Sequence, residues 1–265
     1  LVARPVNQFV QLACFNKERL PTSPRTLEDL KQSSSDATFG MAVQLKDLFW
    51  SAEAFDAGPA LKAAMDSSGT SQVDYETVTA WLSWLVDSSY QQNIRFLNNQ
   101  GNLRDGLIRG ELDWITCWSN NLRGLKLKLG DRLGVTALPK GPNQNRTATT
   151  RLEVWALGLN SSPLQRRKAL LMVDFVTKPW AQKTYSLTTK NSMPVSQKAA
   201  TVVASKIPGG NEGLRNYVSA EGLIDKMRVK ARIFRDPVRY EIISDALLDT
   251  IYAVSYTHLT LPTTR

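Results

Sequence analysis

The only histidine among the 265 residues, His258, stands in the run VSYTHLTLPTTR (Val254–Arg265). That run breaks the helical pattern before it and reads like the translation of a transposon adapter used in sequencing libraries, so 254–265 is expected to be a non-native tail. With His258 set aside, neither a Ser-His-Asp triad nor a His-based metal site can be assembled, and Cys14 and Cys117 are too few for a structural zinc. Neither GxxxxGK[ST] nor GxGxxG occurs, which removes the glycine-rich phosphate cradles. The remaining catalytic option is a carboxylate pair: Glu111 with Asp113, or Asp105 with either, as a glycosidase sets two acids on opposite sides of a sugar. Glu111 and Asp113 fall on one face of a predicted strand and read as solvated charges, so no enzyme chemistry and no cofactor is expected.

Binding is better supplied. The seven Trp offer flat apolar faces that stack on sugar C–H surfaces while polar neighbours take the hydroxyls. Trp114 and Trp180 read as core; Trp118, Trp155 and Trp50 sit at or beyond the ends of elements. The net charge of +9 raises a polyanionic partner. Its basic residues are dispersed, however, and the densest groups (Arg166, Arg167, Lys168 and Lys226, Arg228, Lys230, Arg232, Arg235) have helical or alternating spacings without interleaved aromatics. They read as solvated faces, with no nucleic-acid partner. The two cysteines form no CxxC motif, leaving buried thiols, a disulfide or a redox accident open, with buried thiols the commonest case.

The elements that must position these residues alternate between strand and helix patterns, which indicates an α/β protein with a sizeable core. Strands are predicted at 10–15, 38–43, 111–118, 134–138 and from Leu152. Thr26 with Asp29 has the form of a capping box. Helical patterns cover 47–65, broken at Gly58 and Pro59, and 74–88, where Tyr75, Val78, Leu82, Leu85 and Val86 share a face with Trp84 opposite and Trp81 at its edge. A further helix is read over 93–109. Ser162 and Pro163 form a natural N-cap and first helical residue, Thr177 before Lys178-Pro179 ends that helix, and a shorter one follows. A last amphipathic helix is expected over 237–252 with Val238, Ile242, Ala246 and Ile251 on one face, and Gly209-Gly210 breaks the helical region before it. No run of about 18 apolar residues could cross a bilayer.

Four landmarks resemble, in order, the extracellular solute-binding proteins of ABC importers, in the maltose-binding-like branch. CFNKERL (14–20) with PRTLEDL (24–30) is similar to the family's YNKDL and PKTWEEL. RGELDWITCW (109–118) is similar to its GxAAMxxxGxW strand, and LGVTALPKGP (133–142) to its GVxPLPKGP. Leu152–Tyr185, followed by SMPVS, resembles its GWAISxxSKNKEAAxxFxxFLTSPEAQ and PV. The resemblance implies a two-lobed, type II periplasmic-binding-protein-like clamshell with the first lobe, and the export signal, largely outside this sequence. Residues 1–145 would belong mainly to the second lobe with a hinge strand, 146–196 would return to the first lobe, and 197–253 would supply second-lobe helices. On this reading the strand at 10–15 lacks a partner.

The implied function is capture of a small polar solute, a sugar, between the lobes, with delivery to membrane-embedded permease subunits of an ABC transporter. The protein would be periplasmic or extracellular, meeting the membrane only through the permease. The implied cleft collects Trp155, Trp118 and Trp50. Ungapped counting puts Asn120 in the place of the family's GxW tryptophan. The glycines before WAI become Arg151, Leu152 and Val154, and Arg151 could offer a guanidinium fork to a hydroxyl or an anionic group. Asn7 and Gln8 are further polar candidates. The rivals are a carbohydrate-active enzyme and a basic polyanion-binding protein.

Overall fold

A computed structural model describes residues 4–65, 74–143, 149–189, 193–206 and 237–257. The strand expected at 10–15 is the middle of a longer one, β1 (Arg4–Asn16), and it has three partners. Residues 11–15 pair antiparallel with β4 (Trp114–Trp118), and residues 13–16 with β5 (Leu133–Thr136). The stretch from Arg4 to Val10 pairs with β6 (Thr150–Trp155) across an irregularity between Pro5 and Asn7, where the absent proline N–H would otherwise leave a gap in the ladder. The expectation of an unpartnered first strand is therefore corrected, because all three partners arrive from later in the chain. β2 (Phe39–Ala42) and β3 (Ile94–Leu97) complete the order β3-β2-β4-β1-β5, with β2 parallel to both β3 and β4.

Alternation along the strands divides the core into two layers. Ala13, Phe15, Phe39, Met41 and Trp114 face α1 (Leu27–Ser33), α2 (Leu45–Ala54), α3 (Gly58–Ala64) and α4 (Tyr75–Ser89). Val10, Leu12, Ala42, Ile115 and Cys117 face α5 (Gln100–Arg109) and α6 (Leu122–Leu129). The Thr26–Asp29 capping box forms as predicted, and Lys140 of the PKGP turn bonds to the backbone of Arg25 and Leu27, which joins two of the sequence landmarks. Gly141 in that turn admits no side chain: a Cβ would lie 1.7 Å from the Ala54 carbonyl oxygen.

Ser162 and Gln165 form a capping box at the start of α7 (Pro163–Val176), and α8 (Pro179–Thr189) follows at the predicted break. α9 (Gln197–Lys206) buries Ala200 and Val203 in the second layer. The last helix, α10 (Pro237–Thr257), buries Leu247 and Ile251 in the first. It continues through Val254–Thr257 where a break was expected, and it leaves Val238 and Ile242 exposed. His258 and Gly209-Gly210 lie outside the described residues.

Three other expectations are corrected. The first turn of the helix read over 93–109 is β3, since Ile94 and its neighbours are drawn into parallel pairing with β2; Asn99 then caps α5, its side chain accepting from Asn102 N at 3.0 Å. In α4 the buried stripe is Trp81, Trp84, Leu85 and Ser88, with Tyr75 exposed, because the indoles bring the larger apolar area to the core. Cys14 and Cys117 are joined in a disulfide between β1 and β4, Cα atoms 5.9 Å apart. The 103-residue separation that hides their adjacency in the sequence also makes the cross-link effective, since a long closed loop restricts the unfolded chain most. Replacing both with Ala, or reducing the wild type, is expected to lower the stability measured by denaturant titration by about 2–5 kcal/mol.

Candidate functional site

Because β2, β3 and β4 are parallel, their carboxyl ends share one edge of the sheet, where α2, α5 and the short 3-10 turn Ser119–Asn121 begin. In open α/β sheets this edge is where ligands bind. The feature that organises it is Asp47, in the first turn of α2 and fully buried. Its Oδ1 accepts from Trp118 Nε1 at 2.7 Å and from Gln100 Nε2 at 3.1 Å, while its backbone carbonyl accepts from Gln11 Nε2 at 2.6 Å. Burial pushes the carboxyl above its ordinary value, partly offset by the Trp118 bond, the charge of Lys46, the Gln100 bond and the charge of Arg151.

Strand register places the rest. Gln11 lies opposite Trp118, Phe9 opposite Arg151 and Asn7 opposite Glu153, and residues 7, 9 and 11 share one face of β1. The Arg151 guanidinium lies against both aromatics on that face, 5.1 Å from the Phe9 ring centroid and 5.5 Å from that of Trp118. Asn7 Nδ2 donates to Glu153 at 3.1 Å. Thr149, just before β6, hydrogen-bonds through its carbonyl to Gln11 N, and Asn120 follows Trp118 in the 3-10 turn with its Oδ1 buried and unpartnered.

Of the residues singled out from sequence, Trp118 and Arg151 are thus brought together, Asn7 shares their face of the strands, and Asn120 stands in the turn that follows β4. Gln8 is not with them: it points to the opposite face, where its Nε2 donates to the Pro194 carbonyl at 2.6 Å and its backbone pairs with Met193. Adjacent strand residues cannot serve one face, so only one of Asn7 and Gln8 could belong. Trp50 is likewise corrected, since it lies inside α2, is 1% exposed, and packs edge-on to Trp84 at 6.4 Å. Trp155, 39% exposed at the end of β6, lines a groove of about 400 Å³ with Leu170, Met172 and Val173 of α7. Trp114 is core as expected, but Trp180 is exposed and stacks edge-on against Phe175.

The carboxylates considered for catalysis are occupied elsewhere. Glu111 is paired with Arg109 through bonds of 2.7 and 2.9 Å, which hold it below its ordinary value. Asp113 is buried, not solvated as expected; it accepts from Thr38 N at 2.8 Å and pairs with Arg19 at 2.6 Å. Asp47, Gln11, Gln100, Phe9 and Thr149 were missed. Gln11 had a signal, a lone amide in the apolar run FVQLACF, and Asp47 another, an acid inside the apolar stretch VQLKDLFW.

The family of bacterial extracellular solute-binding proteins matches residues 2–208. This chain belongs to that family. Among solved structures, the GacH receptor of Streptomyces glaucescens, studied unliganded and with acarbose, superposes with a TM-score of 0.69 at 13% identity over 95% of this chain and 66% of that one. UgpB from Mycobacterium tuberculosis, in complex with glycerophosphocholine, gives 0.64 at 17% identity over 95% and 67%. Maltose-bound MalE3 of T. maritima gives 0.62 at 21% identity over 96% and 68%. The chain thus has the type II periplasmic-binding-protein fold and spans about two thirds of the length of these structures. No curated protein sequence matches it. Among the described residues no helix is long and apolar enough to cross a membrane.

Asp47 makes stability depend on pH. The folded state holds its proton more tightly than the unfolded chain, so this contribution is complete below the ordinary value of 3.8 and is lost as pH rises through the raised folded value. Asp47→Asn removes that loss. Urea titrations at pH 4 and pH 7 should therefore show the variant gaining stability relative to the wild type at the higher pH.

Proposed function

We propose that the protein captures a small polar solute, a sugar or sugar derivative, between two lobes and delivers it to the permease subunits of an ABC transporter. The observation that carries this is the meeting of Trp118 and Arg151, with Asn7 on the same face of β1, where β1 passes from the main sheet to its pairing with β6. A solute seated there would meet residues of both segments at once. It would stabilise whichever arrangement brings them together, so capture works by population shift.

The structural relatives solved with maltose, acarbose and glycerophosphocholine support this class of solute. The disulfide supports an exported protein, because such bonds persist in oxidising compartments. α7 and α8 expose Leu171, Met172, Phe175 and Trp180, and the rest of a first lobe would cover them. On this reading 146–196 is the segment that returns to that lobe. Solute capture requires no covalent step, and the carboxylates examined as a catalytic pair hold other partners.

Calorimetric titration of the full chain with sugars should give saturable, nearly salt-independent binding, and X-ray scattering should show a smaller radius of gyration with ligand. Turnover of a glycoside, or affinity that collapses with salt as for polyanions, would sink the proposal. Trp118→Ala, which removes the surface behind Arg151, is expected to weaken binding by about tenfold or more.

A further inference from the structure

We propose that the solute carries an anionic group, a phosphoryl or carboxylate on a polyol, and that Arg151 is the residue that selects it. The inference rests on the solute-binding reading of this site. It starts from the way the guanidinium is held. Its guanidinium carbon lies 5.1 Å from the Phe9 ring centroid and 5.5 Å from that of Trp118. Among the described residues the Arg151 side chain makes no ion pair and no hydrogen bond.

The acids nearby have other partners. Glu153, next on the same face of β6, accepts from Asn7, and Asp47 accepts from Trp118 and Gln100. A guanidinium has five donors and no acceptor, in a planar fork that matches an oxyanion bidentately. Orientation by two aromatic rings removes much of the ordering cost of that match. A neutral hydroxyl would offer the guanidinium a single acceptor atom, whereas an oxyanion would offer two in the geometry of the fork.

A second observation concerns the remainder of the ligand. Gln11 Oε1 and Thr149 Oγ1 are buried without partners, on side chains only 1% and 5% exposed. Gln11 shares the β1 face of Phe9, and Thr149 precedes Arg151 by two residues on β6. The Gln11 amide nitrogen is committed to the Asp47 carbonyl, which leaves its oxygen an acceptor. Unsatisfied buried acceptors are costly, and the hydroxyls of a polyol whose anionic group sits on Arg151 are the donors that would satisfy them.

Calorimetry on the full chain would compare glucose and glycerol with glucose 6-phosphate, glucuronate and glycerol 3-phosphate, for the wild type and Arg151→Gln. An anionic member should bind about 10- to 100-fold more tightly than its neutral counterpart, the range set by hydrogen bonds to charged groups. Arg151→Gln should erase that preference, bringing each anionic compound to within about twofold of its neutral counterpart. The phosphate and carboxylate arms distinguish the two sources of charge. A neutral sugar that binds most tightly and is indifferent to Arg151→Gln overturns this inference but leaves solute capture standing. Failure of every compound to bind overturns both.

Discussion

One strand must satisfy hydrogen-bonding partners that come from three distant parts of the chain. β1 runs for 13 residues, its C-terminal part within the main sheet and its N-terminal part paired with β6. A strand with partners along its whole length cannot shift register by one residue without exchanging its two faces. The division between Phe9 and Gln11 on one side and Gln8, Val10 and Leu12 on the other is therefore set rigidly, and the disulfide to β4 locks it covalently. The segment β6-α7-α8 reaches the main sheet chiefly through this pairing.

The site follows from that register and from one buried charge. Asp47 would be expensive to bury alone, and the indole of Trp118 and the amide of Gln100 share the cost by hydrogen bonding to it. Their commitment fixes the Trp118 ring, and the ring with Phe9 fixes Arg151. Order thus passes outward from a buried carboxylate to an exposed cation in two contacts.

Much of this was legible in the amino-acid sequence where local rules decide. The capping box at Thr26, the N-cap at Ser162, the break before Pro179, and the strands around 39–42, 114–118 and 133–136 all depend on nearby residues. Misreadings arose where distant packing outweighed local pattern. Ile94–Leu97 became a strand because β2 offered a ladder, Trp84 turned inward because the core had room for its surface, and Trp180 remained outside because little of the described chain packs over it.

The site divides in the same way. Trp118, Arg151, Asn7 and Asn120 could be proposed from residue type and resemblance, since aromatics and forked cations announce their chemistry. Asp47, Gln11, Gln100 and Thr149 could not, because each is an ordinary polar residue until the fold brings it beside the others. The sequence by itself determined the alternating α/β pattern, the caps and the family, all carried by short-range spacing and motif order. Only the tertiary structure decided that Cys14 meets Cys117, that Gln8 and Trp50 are structural, and that Arg151 lies against two rings. The cysteine pairing, the side taken by Gln8 and the meeting of Arg151 with Phe9 depend on strand register between segments more than 100 residues apart in sequence, which no local spacing encodes.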